Sequence, residues 1–170
     1  TAYHIGSVQT RVAANGLYKN YAIGEGGAIA RNEIGLTLEG ESGEGHLYGL
    51  YLVDGVRHMD THTRIDHAAP NCRSDELYKG ILDDDSSAVF TGRILVRPDA
   101  QKTDSIQSNR VLLLSDAARI DSQPQLEIYA DDVRCTHGAA IGRMQEEALF
   151  YLRSRGVPGP IAHGILTYAF

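Results

Sequence analysis

The 170-residue sequence has no tryptophan, three phenylalanines, two methionines, two cysteines and five prolines. Two cysteines, Cys72 and Cys135, cannot make the multi-bridge framework of a small secreted domain. Both thiols are expected to be free, in a reducing cytoplasm. No uninterrupted apolar run reaches membrane-spanning length, and no charged-then-apolar targeting segment stands at the start. Positive charge is also in short supply. Sixteen Lys and Arg against 22 Asp and Glu leave a net charge of −6. That balance argues against non-specific nucleic-acid binding, which needs a concentrated basic surface. Tight hairpin dipeptides are scarce too: Asn15-Gly16 and Asp54-Gly55 are the only Asn-Gly or Asp-Gly pairs, so strands joined by two-residue turns are not the theme.

What is present is 18 glycines and 42% hydrophobic residues, spread through many short alternating runs. "YHIGSVQTRV", "HLYGLYLVDG", "RHMDTHTRID", "AVFTGRILVRPDA" and "SIQSNRVLLLSD" are typical, and successive runs start roughly ten to fourteen residues apart. Such spacing fits an antiparallel sandwich or the coils of a β-solenoid. The solenoid is favoured by the lack of hairpin turns and by the ladder His58, Asp60, His62, Arg64, Asp66. Residues two apart share a strand face, so Met59, Thr61, Thr63 and Ile65 point inward, where small side chains suit a narrow interior. After Gly142 the period becomes helical. "RMQEEALFYLRSRGVP" sets Met144, Ala148, Leu149 and Leu152 on one stripe, with Gly156 and Pro158 as a stop signal. "PIAHGILTYAF" starts a second helix. The expected organisation is a mainly β core over 1–142 followed by the start of a truncated helical part over 143–170. The opening at Thr1 and the uncapped end read as cuts within a longer protein.

Four constellations could carry chemistry. Cys135 and His137 stand two apart, with Cα atoms roughly 6.5 Å from each other if in a strand. A thiolate and an imidazole at that spacing can approach one ion, and their softness selects zinc, copper(I) or iron–sulfur species. Two ligands do not fill a tetrahedral shell, so either further ligands come from elsewhere in the chain or from another subunit, or Cys135 is a small buried hydrophobe and His137 a surface residue. His58, His62, His67 and Cys72 crowd fifteen residues, yet strand parity separates His67 from His58 and His62. Cys72 reads as a turn or strand-start residue or as a further soft ligand. The carboxylate runs Asp83–Asp85 and Asp131–Asp132 fit turn chemistry, or the acids of a polysaccharide-cleaving β-helix enzyme. "GEGGA" lacks the Lys and Ser/Thr of a phosphate-binding loop, and no GxSxG elbow is present.

The segments "RIDHAAPNCRSDELYKGILDD", "AVFTGRILVRPDAQKTDSIQSNRVLLLSD" and above all "PQLEIYADDVRCTHGA", Pro124 to Ala139, resemble the SufB/SufD family of the SUF iron–sulfur cluster assembly system, and SufD more than SufB. The resemblance covers essentially the whole chain. It implies a right-handed parallel β-helix core flanked by helical parts, and a non-enzymatic, cytoplasmic subunit working with a SufB-like paralogue and a SufC-like ATPase. It also implies that Cys135 and His137 lie near the SufB interface and help to build a nascent cluster, which the isolated chain does not hold stably. His58, His62 and Cys72 gain no such counterpart. A homodimer is a further expectation for the chain in isolation. Two readings from other classes stand beside it: a polysaccharide-acting enzyme using Asp131 and Asp132, and a purely structural dimerisation module.

Overall fold

The alternating runs become ten strands in the computed structural model, which describes residues 2–170. They are β1 (Tyr3–Val12), β2 (Leu17–Gly24), β3 (Ile29–Leu38), β4 (Glu44–Val53), β5 (His58–His67), β6 (Arg73–Leu82), β7 (Ser87–Val96), β8 (Asp104–Leu113), β9 (Arg119–Ile128) and β10 (Arg134–Arg143). Odd strands form one sheet in the order β1-β3-β5-β7-β9, and even strands form the other as β10-β8-β6-β4-β2. Every neighbouring pair is parallel. The protein is therefore a parallel β-solenoid of about five turns, each turn giving one strand to each sheet. Parallel pairing throughout rules out the antiparallel sandwich.

The corners explain why no hairpin dipeptides are needed. Asn15, Ser42, Asn71 and Lys102 occupy the corner leading from the odd to the even sheet, all with φ between 57° and 60°. Each N–H is donated to the next coil, to the carbonyls of Glu41, Pro70, Gln101 and Asp132 respectively. The left-handed backbone thus stacks as a ladder of its own. At the opposite corner Gly55 and Asp84 play this part, with φ of 62° and 52°.

Inside, strand parity holds as expected: Met59, Thr61, Thr63 and Ile65 are all buried. Phe90, Ile65, Ile94, Leu36, Leu38, Leu47, Leu82 and Val96 are fully enclosed, each worth roughly 1.5–3 kcal/mol of hydrophobic stabilisation. Two tyrosines interlock with glycines of the adjacent coil. Gly49 is the register partner of Tyr78, and Tyr51 that of Gly80. A Cβ on either glycine would run into the tyrosine ring, so the glycines make room for aromatic bulk in a narrow interior. Tyr78 also meets Phe90 at 5.2 Å between centroids, tilted by 41°, a favourable aromatic geometry.

Outside, the ladder from His58 to Asp66 lies on the odd sheet. Asp66 has outward parity but is only 5% exposed, because Arg97 from the following corner closes over it with two 2.9 Å hydrogen bonds. The helical part consists of α1 (Glu146–Ser154) and α2 (Gly159–Ala169). Glu146 and Glu147 in its first turn and Arg153 in its last complement the α1 dipole. Met144 falls before the helix, because β10 continues to Arg143. Gly156, with φ of 88°, ends the turn between the two helices. Ala162 of α2 is fully buried, and the Lys79 ammonium of β6 donates to the Phe170 carbonyl.

Candidate functional site

Strand β10 is the last strand of the even sheet, with one edge paired to β8 and the other unpaired among the described residues. Cys135 and His137 share its inward-facing side, since they continue columns that are interior in earlier coils. Cys135 follows Gly45, Ser74 and Ser105; His137 follows Leu47, Glu76 and Gln107. On β10 no later coil among the described residues covers these positions. Cys135 is half-buried and His137 exposed. The pair therefore stands on a surface that would be core if another strand followed.

Burial pushes the Cys135 thiol up, and the nearby Asp104 carboxylate adds to the effect. A thiol held protonated in this way is not an activated nucleophile. Such a thiol ionises when a nearby cation offsets the cost. Behind the pair, the interior is polar. The Ser105 hydroxyl lies 2.7 Å from that of Ser74, and Ser74 lies 2.9 Å from His67 Nε2. His67 is fully buried, and burial drives its imidazole down to about 4. In the neighbouring column Gln107 donates to Glu76 at 2.7 Å. Asn109, two residues further along the strand, donates to Ser122 at 2.8 Å and accepts from Tyr51 at 3.0 Å.

The other sequence candidates are elsewhere. His58 Nδ1 is 2.8 Å from the Ser87 hydroxyl, and His62 Nε2 is 2.8 Å from Asp60; both are on the outer face of the odd sheet. Cys72 is fully buried at a corner, donating its thiol to the Gly40 carbonyl at 3.3 Å, and burial raises its pKa. Both cysteines are free. Among the described residues no three His, Cys, Asp or Glu side chains gather into a metal-holding group. Asp84 supplies a left-handed corner, and Asp85 pairs with Arg119 at 3.1 Å. Asp131 and Asp132 form the corner between β9 and β10, where Asp132 accepts from the Lys102 N–H and donates its own N–H to Gln101 Oε1. Sequence reasoning missed Ser74, Glu76, Ser105 and Gln107. Their signal was polar residues two apart, Ser74 and Glu76 in one strand and Ser105, Gln107 and Asn109 in the other, which becomes an inward parity only once the register is known.

A family model described as the SUF system FeS cluster assembly, SufBD core domain, matches residues 1–170. The chain belongs to the SufBD core family. Its relatives include an iron–sulfur cluster assembly SufBD family protein of Mycobacterium bovis, 36% identical over 175 residues, covering 98% of this chain and 44% of the relative. The iron–sulfur cluster assembly protein SufD of Escherichia coli is 42% identical over 145 residues, covering 85% and 34%. That of Bacillus subtilis is 32% identical over 146 residues, covering 86% and 33%. The chain thus spans less than half the length of these relatives. As a SufBD core it comprises the solenoid and the two helices that follow it, with the Cys135/His137 pair on the solenoid's last strand.

Proposed function

We propose that this SufBD core is a non-catalytic scaffold for iron–sulfur cluster assembly, on which Cys135 and His137 offer a thiolate and an imidazole to a nascent cluster at a subunit interface. The observation that carries this reading is that both side chains sit on the inward side of the open last strand. There they present two soft ligands where a second chain has access. An iron–sulfur cluster takes more than two protein ligands. The remainder would come from a SufB-like paralogue, with a SufC-like ATPase supplying hydrolysis, all in the cytoplasm. A half-site of this kind releases its cargo more readily than a closed four-ligand cage. His58, His62 and Cys72 play no part: the first two already hold polar partners, and the third is enclosed by backbone.

The test is co-expression of the full-length protein with its paralogue and ATPase partners, followed by iron and sulfide analysis of the purified complex. Cys135→Ala and His137→Ala are expected to lower cluster content severalfold, while His62→Ala and Cys72→Ala leave it near wild type in whatever protein folds. Equal cluster content in wild type and both site variants would remove the site assignment.

A further inference from the structure

One interior column changes character towards the open end: Leu47, Glu76, Gln107 and His137 are register partners on successive coils. Glu76 and Gln107 are 0% and 1% exposed. Gln107 Nε2 donates to Glu76 Oε2 at 2.7 Å, and this bond decides how the carboxamide is turned. Against an ionised Glu76 the reverse orientation would set the carboxamide oxygen against a carboxylate oxygen, so the Nε2 end belongs to the Glu76 carboxylate. Gln107 Oε1 is then left as a buried acceptor that no donor among the described residues meets in this conformation. A buried oxygen in that state costs roughly 1–3 kcal/mol, and such groups call for a partner.

The neighbour available is His137, which occupies the equivalent place on the next coil, on the same face. An ordinary ladder of stacked amides would explain a buried glutamine by itself, each amide donating to the next. That account fails here, because the column holds a carboxyl on one side of Gln107 and an imidazole on the other. We propose that Gln107, locked by Glu76, is a positioning residue for His137: when the exposed imidazole turns inward, Oε1 accepts one ring N–H and leaves the second ring nitrogen free on the open side. A histidine ligand held through its other nitrogen has its tautomer and ring orientation set in advance. The inference deepens the reading of His137 as a cluster ligand and rests on it for what the free nitrogen does. The hydrogen bond itself is independent of that reading.

The experiment follows the His137 tautomer by 15N shifts at pH 8 or above, where Glu76 is ionised, in full-length protein labelled at histidine, with the resonance assigned by its loss in His137→Ala. One tautomer should dominate in the wild type. In Gln107→Leu the ratio should move roughly three- to tenfold towards that of an unstructured histidine peptide, the span expected for one neutral hydrogen bond. Glu76→Gln frees the carboxamide to turn over and should move the ratio in the same direction. The exchanged pair Glu76→Gln with Gln107→Glu keeps volume and an acceptor facing His137, so the bias should return. An unchanged ratio in Glu76→Gln, or in a folded Gln107→Leu, would overturn the proposal; a purely structural role lowers Tm without moving the ratio. If the bias follows this pattern while His137→Ala leaves cluster content unchanged, the positioning stands and the ligand reading falls.

Discussion

Arg97 grips Asp66 across neighbouring coils, its Nε and one terminal nitrogen each 2.9 Å from a different carboxylate oxygen. The carboxylate is 7% exposed, whereas the guanidinium is 52% exposed, so the arginine acts as a lid over a charge that has left water. Arg64 stands by at 3.8 Å, too far for a close bond.

Removing the lid strands the charge. Arg97→Ala should destabilise the protein by about 2–3 kcal/mol, since a nearly buried carboxylate loses its bidentate partner. Arg97→Lys should recover only part, because an ammonium cannot match both oxygens with a planar fork. Arg64→Ala, which removes a looser and more exposed contact, should cost under about 1 kcal/mol. Urea unfolding midpoints at constant m-value would check the order. Equal losses for Arg97→Ala and Arg64→Ala would show that Asp66 is held by diffuse charge instead.

The stacked corner makes a different kind of forecast. Three of its four left-handed positions hold Asn or Ser, and the fourth holds Lys102, with φ of 59°. A long side chain pays a steric cost in this region that Gly escapes and Asn reduces. Lys102 is exposed, so no packing opposes its replacement. Lys102→Asn or Lys102→Gly should stabilise the protein by about 0.5–1 kcal/mol, read as a higher unfolding midpoint. A loss of stability would mean that the lysine side chain contributes more at this corner than its backbone strain costs.

Much of this architecture was readable from residue types. Met59, Thr61, Thr63 and Ile65 alternate with charged neighbours, and that period carries the strand and its inward face. The break after Gly142 is likewise a change of period. What resisted reading were residues whose burial depends on a distant partner. Asp66 looks like a surface acid until Arg97, 31 positions away, is known to cover it. Glu76 and Gln107 look like the wet side of a strand because their bond joins two coils. Of the candidate site, the spacing of Cys135 and His137 was legible, whereas the polar columns behind them appear only with the register.

Stability depends on pH through two buried groups whose protonation responds in opposite senses. Burial pushes the Glu76 carboxyl up to about 7 from an ordinary 4.5, against the opposing pull of the Gln107 hydrogen bond. The folded state thus binds this proton more tightly than the unfolded chain does. Its contribution to stability is full below about 4.5 and is lost as pH rises through about 7. His67 is the reverse case: driven down from 6.5 to about 4 by burial, it costs stability as pH falls from about 6.5 through 4, where the unfolded chain takes up a proton that the folded one refuses. Between about 4.5 and 6.5 the two slopes oppose each other, and between 6.5 and 7 only the Glu76 loss remains. Glu76→Gln cannot ionise, so its stability relative to wild type should rise between pH 5 and pH 8, by at most about 3 kcal/mol from the linkage relation. Taking the difference between variant and wild type at each pH cancels every other titrating group, His67 included. Chemical denaturation across that range measures it directly. A constant offset would mean that Glu76 keeps an ordinary carboxylate pKa in the folded protein.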